Sequence, residues 1–587
     1  MRFRTRAMIT AAMMGATASL SGTATAAEAD GARFKALYTE EWDWRKQQFA
    51  DDEDSGREIS AHLPDVGLAA QQKRLAYWQD VLRQLEAIDA AKLSADDQVN
   101  YQIYKNQIVA LIAEQQFREY ERPLNSDSSF WGNVAGTAQR SFLKEADYRN
   151  YVSQLSELPR YFSQNIENMR AGLKRGFTPP QVTLQGRDAT VDSVLKPGAS
   201  EQNPFYAPFR NMPANIPAAT QAELRAAGIA AIRDHVIPAH KTLITFLRNE
   251  YIPGAQKSLA AWDLPDGKAY YQSRIREFTT LDLSPAEIHQ IGLDEVGKIR
   301  AEMLEVMKET DFRGDLPAFL TFLRTDPQFY AKTPQELLMR AAFIAKQFDA
   351  KVGDWFGRLP RQRFAIKPVP DDVAPYYTGG RGGPGIYLVN TYNLPARPLY
   401  SLTALTLHES APGHAFQMPL AGENKDQPEF RQQTYISAFG EGWALYAEKL
   451  GVEMGMYETP YDRFGMLSYQ MWRATRLVVD TGIHTMGWTR AQAQQYMLDN
   501  TALAKHEITT EVDRYIAWPG QALSYYLGEL SIIEARGKAE KALGAKFDIR
   551  AFHDTVLQLG SVPLPVLHAR VDRFIAEGGK GPYPDDE

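Results

Sequence analysis

The 587-residue chain contains no cysteine. That excludes disulfides, thiolate metal ligands and a thiol nucleophile, so any transition metal must be held by His and carboxylate. A lipid-anchored form is excluded too, because no cysteine follows the leader. No G-x-S-x-G occurs, which argues against a serine hydrolase of the nucleophile-elbow type. Long apolar runs are missing except for Ala7–Leu20, which is too short to span a bilayer as an ordinary transmembrane helix. There is no basic run and no repeat. The formal net charge of −7 makes the chain a poor candidate for nucleic acid or anionic membranes. At 44% hydrophobic and 23% charged, its composition is that of an ordinary globular protein.

What is present begins with a leader. Arg2, Arg4 and Arg6 precede the apolar run, and Ala24-Thr25-Ala26 is an A-x-A cleavage site. Residues 1–26 read as a secretory signal peptide, which sends the protein to the periplasm or outside the cell. The arginines are not adjacent, which argues against twin-arginine export. Cleavage removes three positive charges and no acid, taking the net charge from −7 to −10. About 560 residues remain, too many for one compact core, so two lobes are expected. The expected division is an N-terminal helical lobe over residues 27–270 and a second lobe over residues 271–587.

Most of the chain carries helical periodicity. Gln71–Ile88 places Leu75, Trp78, Val81, Leu82 and Leu85 on one stripe. Ser94, Ser284, Thr333 and Thr489 each precede a helical pattern with an acid or amide three residues on, the signature of a capped start. Pro123–Ala138 reads as a loop. Gly176–Pro213 is long for a linker and reads as functional or mobile. Ala218–Tyr251 is helical, interrupted or bent around Pro238. The texture changes only at Gln362. There Phe364–Ile366 and Gly385–Asn390 are β-like runs between Gly/Pro turns. Ile386–Asn390 is a candidate edge strand that would take substrate backbone, with an ordinary buried strand as the alternative.

Histidine is scarce, at ten residues, yet His408 and His414 flank Glu409 within seven. Two imidazoles with a carboxylate beside the first are the elements of a zinc-hydrolase helix. The spacing is unusual. In HExxH the two rings share a face, whereas residues six apart diverge by about 120° and lie about 9 Å apart along a regular helix. Pro412-Gly413 offers a remedy, a break that returns His414 to the face of His408; the alternative is a helix that ends at Pro412, with His408 and His414 as unrelated polar residues. Glu441, in an amphipathic stretch 27 residues on, completes a His2Glu set with one position open for water. Glu448, two turns further, reads as a solvated surface residue, with support of a ligand as the alternative.

His408-Glu409, Pro412-Gly413-His414 and Gln417 form HExxPGHxxQ, and Glu441-Gly442-Trp443-Ala444 forms EGWA. Together they resemble the bacterial domain-of-unknown-function family 885, regarded as zincin-like metallopeptidases. GFTPP (176–180), FTTLDLSPAEIHQIGLDEV (278–296), DTGIHTMGW (480–488), PGQALSYYLG (519–528) and FHDTVLQLGSVPLPVL (552–567) fit the same family. The arrangement is more distantly similar to thimet oligopeptidase and carboxypeptidase Taq. The resemblance implies a mainly α, two-lobed protein with a deep central cleft and a small sheet near the metal helix. It implies one zinc ion on His408, His414 and Glu441, with Glu409 as general base and a peptide as substrate. From the helical peptidases it implies a C-terminal Tyr or His as oxyanion donor, for which Tyr525, Tyr526 and His484 are the candidates. Arg473, Arg476 and Arg514 are either receptors for a substrate carboxylate or internal ion-pair partners. Two other classes share these residues: a zinc hydrolase of non-peptide esters or amides, and an exported binding protein with a vestigial site.

Overall fold

The computed structural model describes residues 18–49, 59–126, 128–371 and 374–583. Residues 1–17 of the expected leader lie outside the described residues. The protein is mostly helical, with one small sheet. The long first helix, α1 (Ala18–Gln48), is followed by α2 (Leu68–Glu86) and α3 (Ala95–Phe117). Trp78, Val81 and Leu85 of α2 are buried, as the stripe predicts. Ser94 caps α3 by accepting from Asp97 N–H.

Two large hydrophobic cores organise the described residues, with a small third cluster in which Leu337, Ala341 and Leu402 pack on Tyr387 and Val389 of the sheet region. One joins α1–α3 to residues 261–574, so the N-terminal helices pack on C-terminal ones. The other is built from residues 59–63 and 124–255. Two expectations are corrected in this second core. Pro123–Ala138 is not all loop: Phe130–Gly136 is a helix, capped by Ser129 Oγ accepting from Gly132 N–H, with Phe130, Trp131 and Val134 buried. The signal was the Ser cap before an aromatic pair. Gly176–Pro213 includes the helix Ala189–Leu195 and packs Val191, Val194, Phe205 and Phe209 into the core, so it is a built part of the fold. Along Ala218–Tyr251 the helix is interrupted as expected. It widens to π turns over Ile232–Val236 and Leu247–Tyr251, and Pro238 follows the first of them.

The sheet has β1 (Ala365–Pro368), β2 (Gly380–Gly383) and β3 (Ile386–Val389), in the order β1-β3-β2. β3 runs parallel to β1 and antiparallel to β2, with Tyr387 opposite both Ile366 and Gly382. The candidate edge strand is therefore the central one. The edge on one side is β2, whose Gly-Arg-Gly-Gly carries no β-branched residue to announce it.

The site is placed by six further helices. α4 (Pro285–Glu309) starts at the Ser284–Glu287 capping box. α5 (Leu402–Glu409) and α6 (His414–Glu423) follow the sheet. α7 (Ser437–Glu453) carries Glu441. α8 (Pro460–Met486) is the axis of the main core, buried from Phe464 to His484. α9 (Lys505–Ala517) packs against it. A seventh, α10 (Ser524–Leu543), crosses α7 at a Gly–Gly contact. A Cβ on Gly442 would lie 2.4 Å from the Gly528 carbonyl carbon, and one on Gly528 would lie 2.0 Å from Ala438 O. Only glycine at both positions lets the backbones touch. That contact fixes the start of α10 against the turn of α7 that bears Glu441.

Candidate metal centre

The helix that opens this site stops where the spacing demands it. α5 ends at Glu409 and α6 begins at His414, with Ser410–Gly413 as the break between them. The Ala411–Pro412 peptide is cis. The break is anchored. Gly413 N–H donates to Leu407 O at 3.0 Å, and Trp443 Nε1–H donates to Pro412 O at 2.8 Å. Gly413 is needed for room: a Cβ there would sit 1.8 Å from His408 O. After the break the chain resumes as helix through Gln417, as the angular argument requires.

The break brings the two histidines face to edge, with ring centroids 4.9 Å apart and planes at 85°. His408 Nε2 lies 3.5 Å and His414 Nε2 3.3 Å from Glu441 Oε2. One ligand atom from each of the three residues falls within 4.8 Å of the others, so the group could hold a metal ion. All three side chains are largely buried, Glu441 the least at 15% exposed.

Each of these residues has further partners. His408 Nδ1 meets Glu448 Oε1 at 2.7 Å, and Glu448 is fully buried. Glu448 is thus no surface residue. It orients the His408 ring and leaves Nε2 facing Glu441, the usual arrangement of a metal-ligating imidazole. Its spacing of seven from Glu441 puts both on one helix face, which was the available signal. Tyr435 O–H donates to Glu441 Oε1 at 3.1 Å, a partner that sequence reasoning missed. Gly382 N–H, on the outer edge of β2, donates to Glu409 Oε2 at 2.6 Å. A Cβ on Gly382 would lie 1.7 Å from Glu409 O, so strand and helix meet backbone to backbone.

The electrostatics favour a cation at the centre. Burial alone would push the His408 imidazole down, but hydrogen bonds to Glu441 and Glu448 and the charge of Glu409 outweigh it and hold the ring up to about 10. Burial opposes ionisation of Glu441, yet His414 and His408 keep its carboxyl well below the ordinary range. A proton on His408 and a divalent cation would compete for the same nitrogen.

The expected oxyanion donors are placed differently. Tyr525 starts α10 beside Ser524, whose Oγ lies 2.7 Å from Ser437 Oγ, one turn before Glu441. The Tyr525 hydroxyl accepts from Arg514 Nη2 at 3.1 Å, which leaves its own proton free to donate. Tyr526 points the other way and donates to Glu295 Oε2 of α4 at 3.0 Å. Both ring nitrogens of His484 are engaged by backbone, with Tyr515 O at 2.9 Å and Ala261 N–H at 3.2 Å. The structure does not bring Tyr526 or His484 to the metal cluster.

The chain belongs to the family described as "Bacterial protein of unknown function (DUF885)", whose model matches residues 51–571. A comparison with curated proteins gives no match. Among solved structures, the "putative lipoprotein" from Colwellia psychrerythraea is 28% identical, with a TM-score of 0.84 over 95% of this chain and 100% of that one. A "putative lipoprotein of unknown function" from Shewanella oneidensis shares the fold at 17% identity, with a TM-score of 0.70 over 92% of this chain and 98% of that one. An M32 carboxypeptidase from Deinococcus radiodurans R1 matches at a TM-score of 0.27 and 13% identity, too slight a likeness to carry an argument.

Proposed function

We propose that the protein is an exported zinc-dependent hydrolase of peptide bonds. The observation that carries this reading is the convergence of His408, His414 and Glu441 across the break at Ser410–Gly413, with Glu409 beside them. The donor set fits the metal: two imidazoles, one carboxylate and no thiolate make a catalytic zinc set of three protein ligands. Bound zinc would polarise the scissile carbonyl and acidify a water.

The residues of the chain do the rest. Glu409, held by Gly382 N–H, takes the water's proton and returns it to the leaving amine. Tyr525 is the proposed donor to the developing oxyanion. The Tyr435 proton is spent on Glu441, where it steadies the third ligand. The cleft that admits a peptide is proposed to lie between the two cores, with α1–α3 on the side of residues 261–574 instead of in the expected N-terminal lobe of residues 27–270. The lipoprotein descriptions of two structural relatives support export. In this chain the route is the proposed leader, since no cysteine is present to carry a lipid. Among the described residues no helix is long and apolar enough to cross a membrane.

The test is cleavage of a peptide library by zinc-loaded protein. Hydrolysis stops with a chelator and returns with zinc. Glu409→Gln keeps zinc and loses about 10²–10⁴ in kcat, the usual worth of a positioned general base. Chelator-resistant cleavage, or an active Glu409→Gln, contradicts the reading.

A further inference from the structure

Helix α8 carries charge that the metal centre does not use. Arg473 and Arg476 lie one turn apart on it, 4% and 2% exposed. Arg514 of α9 joins them, its side chain 20% exposed. Buried guanidinium groups need carboxylates, and too few are present. Glu511 serves two of them, at 2.8 Å from Arg476 Nη2 and 3.5 Å from Arg514 Nη1. Glu448 stands 3.5 Å from Arg473 Nη2 but is already bonded to His408. Glu507 of α9 and Glu529 of α10, the latter within the pull of Arg473, are pushed up by burial to about 7 and about 8, so near neutrality they carry less than a full charge.

The shortfall shows in the hydrogen bonds. Arg473 Nε, Arg476 Nη1 and Arg514 Nε are buried without an acceptor. Aromatic faces hold the cations without neutralising them. Arg473 lies 4.2 Å from the Trp472 centroid, and Arg476 lies 4.2 Å from that of Tyr525. The cluster also adjoins the metal centre on two sides. Arg473 is one carboxylate, Glu448, away from His408. Arg514 bonds Tyr525, which is tied through Ser524 and Ser437 to the turn bearing Glu441.

We propose that Arg514, backed by Arg476, receives a carboxylate of the substrate. In a peptide that group is the free C-terminus or an Asp or Glu side chain. The proposal rests on the peptidase reading above and names its substrate class. A carboxylate there would complete the charge balance by displacing a neutral acceptor, Gln521 Oε1, which Arg514 Nη2 bonds at 2.6 Å.

Three peptides test it with zinc-loaded protein: a free acid without Asp or Glu, its C-terminal amide, and that amide with one internal residue changed to glutamate. One of the two carboxylate-bearing peptides is expected to exceed the plain amide about tenfold or more in kcat/KM, chiefly through KM, as for a charge-assisted hydrogen bond. Which of the two it is identifies the source of the carboxylate. Arg514→Gln should collapse that ratio toward one. Equal rates on all three peptides with the wild type, or an unchanged ratio in Arg514→Gln, would overturn the receptor. If no peptide is cleaved, the hydrolase reading fails separately. Calorimetric binding of the same three peptides to the zinc-loaded wild type then decides the receptor: tighter binding of a carboxylate peptide supports it, and equal or absent binding overturns it.

Discussion

Glu448 Oε1 lies 2.7 Å from His408 Nδ1, both side chains buried, and this pair links the helix of Glu441 to that of His408. The contact fixes which His408 nitrogen faces Glu441. Arg473 stands 3.5 Å behind the same oxygen.

The pair makes a first prediction. Glu448→Gln keeps an acceptor but loses the charge, and should weaken zinc binding about tenfold. Glu448→Ala loses both and should approach 100-fold, the upper range for outer partners of a ligating histidine. Competition against a chromophoric chelator measures both. Unaltered affinity in Glu448→Ala would remove Glu448 from the metal centre.

A second prediction concerns the break before His414. Gly413→Ala puts a Cβ 1.8 Å from His408 O, where backbone must move. It should cost at least the roughly 1–3 kcal/mol of an overpacked core and also displace His414. Gly422→Ala in the next helix meets nothing within 4 Å and should be neutral or stabilising by up to about 1 kcal/mol. Thermal unfolding with and without zinc reads both. Equal melting temperatures for the two variants would mean that the break can relax.

How much of this was legible divides by range. The starts at Ser94, Ser284, Thr333 and Thr489 were readable because a cap is a bond across three residues. The convergence of His408, His414 and Glu441 was readable because residue type and spacing suggest it. The break was readable because two extra residues turn a helix by about 200°. Strand order was not: β3 lies between β1 and β2 through pairings that a local pattern cannot rank. β2 itself was hidden, since Gly380–Gly383 has no strand composition and exists where Gly382 meets Glu409. Glu448 was misread because a helix buried on nearly every side gives an acid the same periodicity as an exposed one. Tyr526 and His484 carried suitable chemistry, but their orientation depends on Glu295, Tyr515 and Ala261, all remote in sequence.

A third prediction concerns pH. Burial, with Glu448 nearby, pushes the Glu529 carboxyl up to about 8, against the opposing pull of Lys449, Gln470 and Arg473. A raised carboxyl pKa means that the fold prefers the neutral acid. Its contribution is fully present below the unfolded value of about 4.3 and is lost as pH rises through about 8. Glu529→Gln should therefore gain on the wild type between pH 5 and pH 9, by a few kcal/mol in all. Denaturant unfolding of metal-free protein at the two pH values measures the gap. A gap that stays constant or shrinks with rising pH would show that Glu529 is ionised throughout.

The metal centre itself is tested most directly by diffraction from zinc-soaked crystals on both sides of the zinc absorption edge. The account predicts one anomalous peak bounded by His408 Nε2, His414 Nε2 and a Glu441 oxygen, about 2.0–2.1 Å from the nitrogens and about 2.0–2.2 Å from the carboxylate. The same crystals of Glu441→Gln should show that peak greatly weakened. No peak between these three side chains, or zinc bound only elsewhere, would contradict it.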